Sequence, residues 1–318
     1  MRSASTMSSA SSDSTDGNIK FVKLMRKLGL CVIYDLDDNL WNLQPSNYAT
    51  PKLQKYVDGL IHIEDGEVIR YGIKECMCLA DAIVVSTEHL KRTVTNQLGI
   101  LKNEMTGKPI PIVVVENYID PVLFRPNTDE NEEVVIGWGG SNTHQGDVGE
   151  VWDLLPGILE KYDNVRMEFV GMPPPTQIAR HPRVTVRGWV HIAEYAQTLS
   201  YWNWDIFLAP LETNKFNKSK SNIKMQEAGA LGKPCLASYV DNYVTFAKLA
   251  NEKSIQPGNI LWSLCATKSQ WQNRLEYLIE NKQARLDLGA KFRANVLTHF
   301  DIANQSWRWQ HVCDMVFD

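Results

Sequence analysis

No run of apolar residues in this 318-residue sequence reaches the roughly 18 needed for a membrane-spanning helix, so no membrane span is expected. An excess of one charge is also missing. Lys and Arg number 33 against 37 Asp and Glu, a net charge of −4, which argues against general affinity for a nucleic-acid backbone. Cysteines are few and scattered: Cys31, Cys76, Cys78, Cys235, Cys265 and Cys313. They lie mostly in apolar contexts and read as buried thiols of a reducing, cytoplasmic compartment, not as a disulfide framework. Cys76-Met-Cys78 lacks zinc-pair spacing, and His62, His89, His181, His191, His299 and His311 show none either, so no metal site is expected. There is no Gly-x-Ser-x-Gly elbow, no Cys/His nucleophile pair and no Gly-Lys-Ser/Thr phosphate loop. What is present is ordinary for a globular protein: 44% hydrophobic and 22% charged residues, enough for two cores of common size.

Along the chain, residues 1–17 are rich in Ser and Thr without an apolar segment and are expected to be a disordered tail. Phe21, Leu24, Met25 and Leu28 recur at helical spacing, with Gly29 placed to end that helix. Leu30–Tyr34 reads as a buried strand, and a helix is expected from about Gly66 to Leu79. Ala82–Val85 reads as a strand, after which Ser86 or Thr87 can cap a helix starting at Glu88; Pro111–Val115 is a further strand. Residues 126–132 are polar and acidic and form the expected linker between an N-terminal unit, 18–125, and a C-terminal unit, 133–297. In the second unit Val134–Ile136 reads as a strand, Gly137–Gly140 as a glycine turn and Val148–Lys161 as a helix. Alternation continues through strands at Val165–Val170, Val184–Val186, Asp205–Ala209 and Pro234–Ala237, with helices at Ala193–Tyr201 and Asn222–Leu231. Residues 298–318 are expected to form a helix packing back toward the first unit. Such alternation predicts an α/β protein with two doubly wound, Rossmann-like parallel sheets facing a cleft, and ligands at the carboxyl ends of the strands.

Three constellations could carry chemistry. Lys218, Lys220, Ser221 and Lys224 cluster before and within the first turn of a helix, where outward-pointing amides and ammonium groups suit a diphosphate. Glu227 shares a face with Lys224; beside phosphates a carboxylate makes sense as an acceptor for sugar hydroxyls, and equally as half of an i,i+3 ion pair. Gly139 and Gly140, in a glycine-rich turn after a strand, allow close approach of a ligand to the backbone, or simply make a tight turn. Asp35, Asp37, Asp38 and Asn39 follow a strand; they could supply acid/base groups or hold Mg²⁺, or could cap a loop.

Together these segments resemble one family, the retaining GT-B glycosyltransferases of the family-4-like group, and more closely a phage and bacterial branch with a Tyr34-Asp-Leu-Asp-Asp38 segment followed by Leu40-Trp41. Ala80–Leu90, the Val115–Pro126 segment with Asn117, Ile119, Asp120 and Phe124, Ile136–Gly140, Val186–Val190, Asp205–Pro210 and Lys220–Pro234 follow the family pattern in order. The resemblance implies transfer of a sugar from a nucleotide-diphosphate sugar, with a UDP-sugar favoured as donor substrate and no cofactor or metal. It implies an unidentified acceptor: glycan, protein or modified nucleic acid. Lys218, Lys220, Ser221, Lys224, Gly139 and Gly140 would bind the donor diphosphate, and Glu227 the ribose hydroxyls; Asp37 and Asp38 are the candidate catalytic residues.

The chain departs from the pattern in three places. Ser219 stands eight residues before Glu227 where the family has a glutamate, and Ser141 and Gln145 stand near positions usually held by Arg and Lys. The first unit reads as incomplete, about 80 residues short of a usual domain of this kind. A non-catalytic relative that binds a nucleotide sugar or glycan is therefore the alternative, and a phosphatase using Asp35 and Asp37 a more distant one.

Overall fold

The computed structural model describes residues 4–8, 15–43, 62–64, 67–69, 71–252 and 254–317. The chain forms two compact units. One comprises Met1–Glu116, Lys215–Ser221 and Ser306–Asp318; the other comprises Asn117–Asn214 and Asn222–Gln305.

The first unit is built on strands β1 (Ala4–Ser8), β2 (Cys31–Leu36), β5 (Ala82–Val85) and β6 (Ile112–Val114), parallel and in the order β1-β2-β5-β6. β5 is buried along its whole length, as a short apolar run inside a parallel sheet should be. Of the tail expected over residues 1–17, Ala4–Ser8 pairs with β2 and Thr15 opens the helix Thr15–Lys27; the rest lies outside the described residues. No apolar pattern announces β1; its pairing uses the backbone groups along β2. The helix also turns a different face inward from the one its spacing suggests. Ile19 and Val22 are buried, while Phe21, Leu24 and Leu28 are exposed. Arg26 accounts for this: it pairs with Asp81, which also accepts the Val32 amide at 2.9 Å, so the Arg26 side must face the sheet. Gly29 ends the helix at φ +71°, with the Leu30 amide returning to the Met25 carbonyl, a glycine C-terminal motif.

The helix expected from Gly66 starts later, at Tyr71, and runs to Leu79; before it β3 (His62–Glu64) and β4 (Glu67–Ile69) form an antiparallel hairpin. Thr87 caps the helix Glu88–Leu98, its Oγ1 accepting the Leu90 amide at 3.1 Å.

The second unit holds β7 (Val134–Gly140), β8 (Val165–Gly171), β9 (Val184–Arg187), β10 (Ile206–Ala209), β11 (Cys235–Ser238) and β12 (Leu264–Cys265). All six are parallel, in the order β12-β11-β10-β7-β8-β9. The chain winds outward from β7 to β9, then crosses back to β10 and winds the other way. This is the doubly wound Rossmann order, and its switch point lies between β7 and β10.

Two local expectations change here. Gly137–Gly140 is strand, not turn: Gly139 and Gly140 pair with Val170 and Gly171 of β8. The glycines serve packing, since the Trp204 ring occupies the place a Cβ on Gly137 would take, and the Trp138 ring lies 2.6 Å from one on Gly140. The helix expected over Val148–Lys161 is two short ones, Gly149–Trp152 and Leu155–Lys161. Pro156 lacks an amide hydrogen and clashes with the preceding turn, so the helix restarts with proline in its first turn.

The helix Ile223–Ala230 follows β10 and packs against the long helix Lys282–His299. Their approach passes through Gly229, where a Cβ would lie 2.9 Å from the Phe292 carbonyl oxygen, and through Gly289, which sits against the Gly232 carbonyl.

Candidate functional site

The carboxyl ends of β7, β10 and β11 are stitched together by side chains. After β7 a single 3₁₀ turn, Asn142–His144, is opened by Ser141, whose hydroxyl accepts the Thr143 amide. His144 Nδ1 lies 2.7 Å from Asp147 Oδ2, and Asp147 Oδ1 accepts the Glu212 amide, in the loop after β10, at 3.0 Å. The neighbouring Leu211 amide donates to Ser238 Oγ at the end of β11. Asp147 is buried. It thus ties the loops on both sides of the switch point, a role its sequence position does not advertise.

The helix Ile223–Ala230 adds the charged groups. The Asn222 side chain does not cap it; its carboxamide oxygen instead accepts from Gln226 at 2.6 Å. The N-terminus of a helix carries the positive end of its dipole. Lys224 Nζ donates to the Gly139 carbonyl, placing an ammonium at the carboxyl end of β7. One turn on, Glu227 Oε2 accepts the Tyr195 hydroxyl at 3.1 Å, from the helix Ile192–Trp202. Burial pushes the Glu227 carboxyl above its ordinary range, while the Lys224 charge and the Tyr195 hydrogen bond pull it back. Burial and the adjacent carboxylate push the Tyr195 phenol well up, so it stays protonated and donates. Gly140 also ends β7, but its carbonyl is used by the Met172 amide at 2.9 Å. Gly139 and Lys224 therefore meet at the carboxyl end of β7, with Glu227 one turn further along the Lys224 helix.

The other candidates belong to the first unit, because Lys215–Ser221 is counted there. Asn39 is buried just beyond β2, and its Nδ2 donates to the Lys215 carbonyl and to Ser219 Oγ, each at 3.1 Å. Thr87 Oγ1, beyond β5, donates to the Ser219 carbonyl at 3.0 Å while capping its own helix. Lys220 pairs with Asp38 at 3.3 Å and lies over the Phe216 ring. Asp37 is exposed, its carbonyl accepting from Ser86 Oγ at 3.2 Å. Asp35 precedes them on β2, and burial together with the Asp37 charge raises its carboxyl to about 6. The structure thus brings Asp38 and Lys220 together, puts Ser219 in a buried hydrogen-bonded position, and joins Lys224 to Gly139. Lys218 lies within the 3₁₀ turn Asn217–Ser219, and Ser221 follows it in the loop. Among the described residues no three His, Cys, Asp or Glu side chains are grouped to hold a metal ion, and no helix is long and apolar enough to cross a membrane.

No family model matches the chain, and no curated protein matches it in sequence. Solved structures do match in fold. A TarM variant from S. aureus, crystallised with fondaparinux, α-GlcNAc-glycerol and UDP, superposes with a TM-score of 0.63 at 13% identity. That match covers 96% of this chain and 56% of TarM, so the chain spans little more than half of it. Anabaena HepE in complex with UDP and glucose gives a TM-score of 0.64 at 13% identity, over 95% of this chain and 76% of HepE. Sucrose-phosphate synthase from Thermosynechococcus elongatus gives 0.60 at 13% identity, over 99% of this chain and 73% of that one. The fold is that of the GT-B glycosyltransferases: α/β, with two units built on parallel sheets.

Proposed function

We propose that the protein transfers a sugar from a nucleoside-diphosphate sugar, a UDP-sugar by preference, to a hydroxyl acceptor. One observation carries this reading: Lys224 anchored on Gly139, with Glu227 one turn along, at the carboxyl edge where the strand order reverses. In a doubly wound sheet that edge is where nucleotides bind. The Lys224 ammonium and the N-terminus of its helix would face the diphosphate, and Glu227 would accept from ribose hydroxyls. Lys218, Lys220 and Ser221, which immediately precede this helix in the chain, would complete the diphosphate site. UDP bound to TarM and HepE supports the choice of nucleotide.

In the proposed reaction the bond from the anomeric carbon to the diphosphate oxygen breaks, and one to the acceptor oxygen forms on the same face. The acceptor proton passes to the leaving diphosphate. Lysine charge stabilises that leaving group as it develops, so the chemistry has no call on a metal. Asp37 or Asp38 would orient the acceptor hydroxyl or donor sugar. The acceptor is a glycan, a protein or a modified nucleic acid.

Incubation with UDP-sugars, with and without EDTA, tests the reading. Release of UDP that survives EDTA is the expected result. Loss of release under EDTA would remove the metal-free mechanism, and binding of UDP without any release would make the chain a nucleotide-sugar-binding relative.

A further inference from the structure

Glu227, on the reading above, accepts from ribose hydroxyls most strongly when it is ionised and correctly turned, and neither condition follows from its place on the helix. The titratable groups that interact with it electrostatically come from four elements: Lys224 on its own helix, Tyr195 on Ile192–Trp202, Cys235 on β11, and Tyr243 on the helix Asp241–Leu249. Burial holds the Cys235 thiol and the Tyr243 phenol neutral. Lys224 Nζ donates to the Gly139 carbonyl. Tyr195 makes the hydrogen bond, at 3.1 Å to Oε2. Its ring is itself held edge-on by the buried Phe124, with centroids 6.4 Å apart.

We infer that Tyr195 is the positioning residue of the nucleotide site: its hydroxyl fixes Glu227 through Oε2 and leaves Oε1 to accept from a ribose hydroxyl. This rests on the nucleotide reading of Glu227. A tyrosine that only filled the core would have no influence on which ligand atoms bind. A donor to a carboxylate also favours its charged form, so Tyr195 extends downward the pH range in which Glu227 can accept.

Calorimetry with UDP, its 2′,3′-dideoxy analogue and inorganic pyrophosphate, from about pH 5 to 8, tests this on the full chain. Taking the ratio of UDP to dideoxy-UDP affinity cancels the titration of the phosphates. Tyr195→Phe keeps the ring against Phe124 and removes the donor. It should lower UDP affinity about three- to tenfold, the size of one hydrogen bond, and spare both the analogue and pyrophosphate. The pH at which the ratio collapses should rise. In a Glu227→Ala background, which removes the acceptor, the same change should have no further effect. Equal loss for all three ligands, or an unmoved pH profile, would overturn the role of Tyr195 while leaving Glu227 as the ribose acceptor. A wild-type ratio indifferent to Glu227→Ala would overturn the ribose reading and Tyr195 with it.

Discussion

Glu227 and Asp35 are both carboxylates that burial makes reluctant to ionise, but among the described residues it is Glu227 that has a cation and a donor to offset that cost. Glu227→Ala is expected to weaken nucleoside-diphosphate binding by about 1–3 kcal/mol, the range for losing hydrogen bonds to a charged acceptor, and to leave pyrophosphate binding nearly unchanged; calorimetry with the two ligands reads the difference. For Asp35 the consequence is in stability. The folded chain holds this proton up to about pH 6, whereas the unfolded chain releases it near the ordinary 3.8. Between those values the folded state binds the extra proton, so stability falls as pH rises, and above about 6 the whole cost is present. Asp35→Asn should therefore raise the melting temperature at pH 7.5 or thereabouts and leave it unchanged near pH 3.5. A stabilisation that is the same at both pH values would show that the charge is not the cause. At this scale, residues in local clusters were legible: Lys224 and Glu227 share a helix face by spacing alone. Tyr195 was not, because it meets Glu227 from 32 residues away. Nor was the bridge from Asp147 to Glu212, 65 residues apart, since no periodicity encodes a contact between two loops.

Among the elements, strand and helix order followed from apolar runs and caps, and Thr87 sits where its type predicts. Elements whose form depends on a distant neighbour depart from their sequence pattern. Gly137–Gly140 looks like a turn until Trp204 is placed over Gly137. The Thr15–Lys27 helix shows its apolar residues on more than one side, and the Arg26–Asp81 pair helps to turn the Ile19 and Val22 side inward. Glycines give a direct test of the same point. Gly229 lies in a helix where a Cβ would meet the Phe292 carbonyl and Val296. Gly157 lies in the helix Leu155–Lys161 with nothing within 4 Å. Helix propensity favours alanine at both. Urea unfolding should instead separate them: Gly229→Ala should cost about 1–3 kcal/mol through overpacking, while Gly157→Ala should gain about 0.5–1 kcal/mol. Similar gains at both positions would mean that the two helices can move apart without penalty.

For the whole molecule, the compact units cut across the sequence: the first takes in Lys215–Ser221 and Ser306–Asp318 as well as Met1–Glu116. Division by a linker at 126–132 cannot express this, because a polar stretch marks a change of composition and not where a later loop will bind. The loop Lys215–Ser221 is fastened by Asn39 and Thr87 from the carboxyl ends of β2 and β5, and by the Asp38–Lys220 pair. These two kinds of fastening should fail differently. Asn39 is buried, and Asn39→Ala would strip donors from the Lys215 carbonyl and Ser219 Oγ, so it should cost about 1–3 kcal/mol in urea unfolding. It should also expose the loop to proteolysis and weaken pyrophosphate binding if Lys218 and Lys220 hold the diphosphate. Asp38 is 44% exposed, so its ion pair is worth little to stability, about 0–1 kcal/mol. Asp37→Asn and Asp38→Asn should therefore melt close to wild type. If these carboxylates orient the acceptor hydroxyl or donor sugar in the transition state, both changes should lower turnover far more than nucleotide affinity. Steady-state kinetics and a melting curve on each variant separate the roles. Full turnover in a normally folded Asp38→Asn protein would reduce Asp38 to a tether for Lys220, and the same result for Asp37→Asn would take the cluster after β2 out of the reaction altogether.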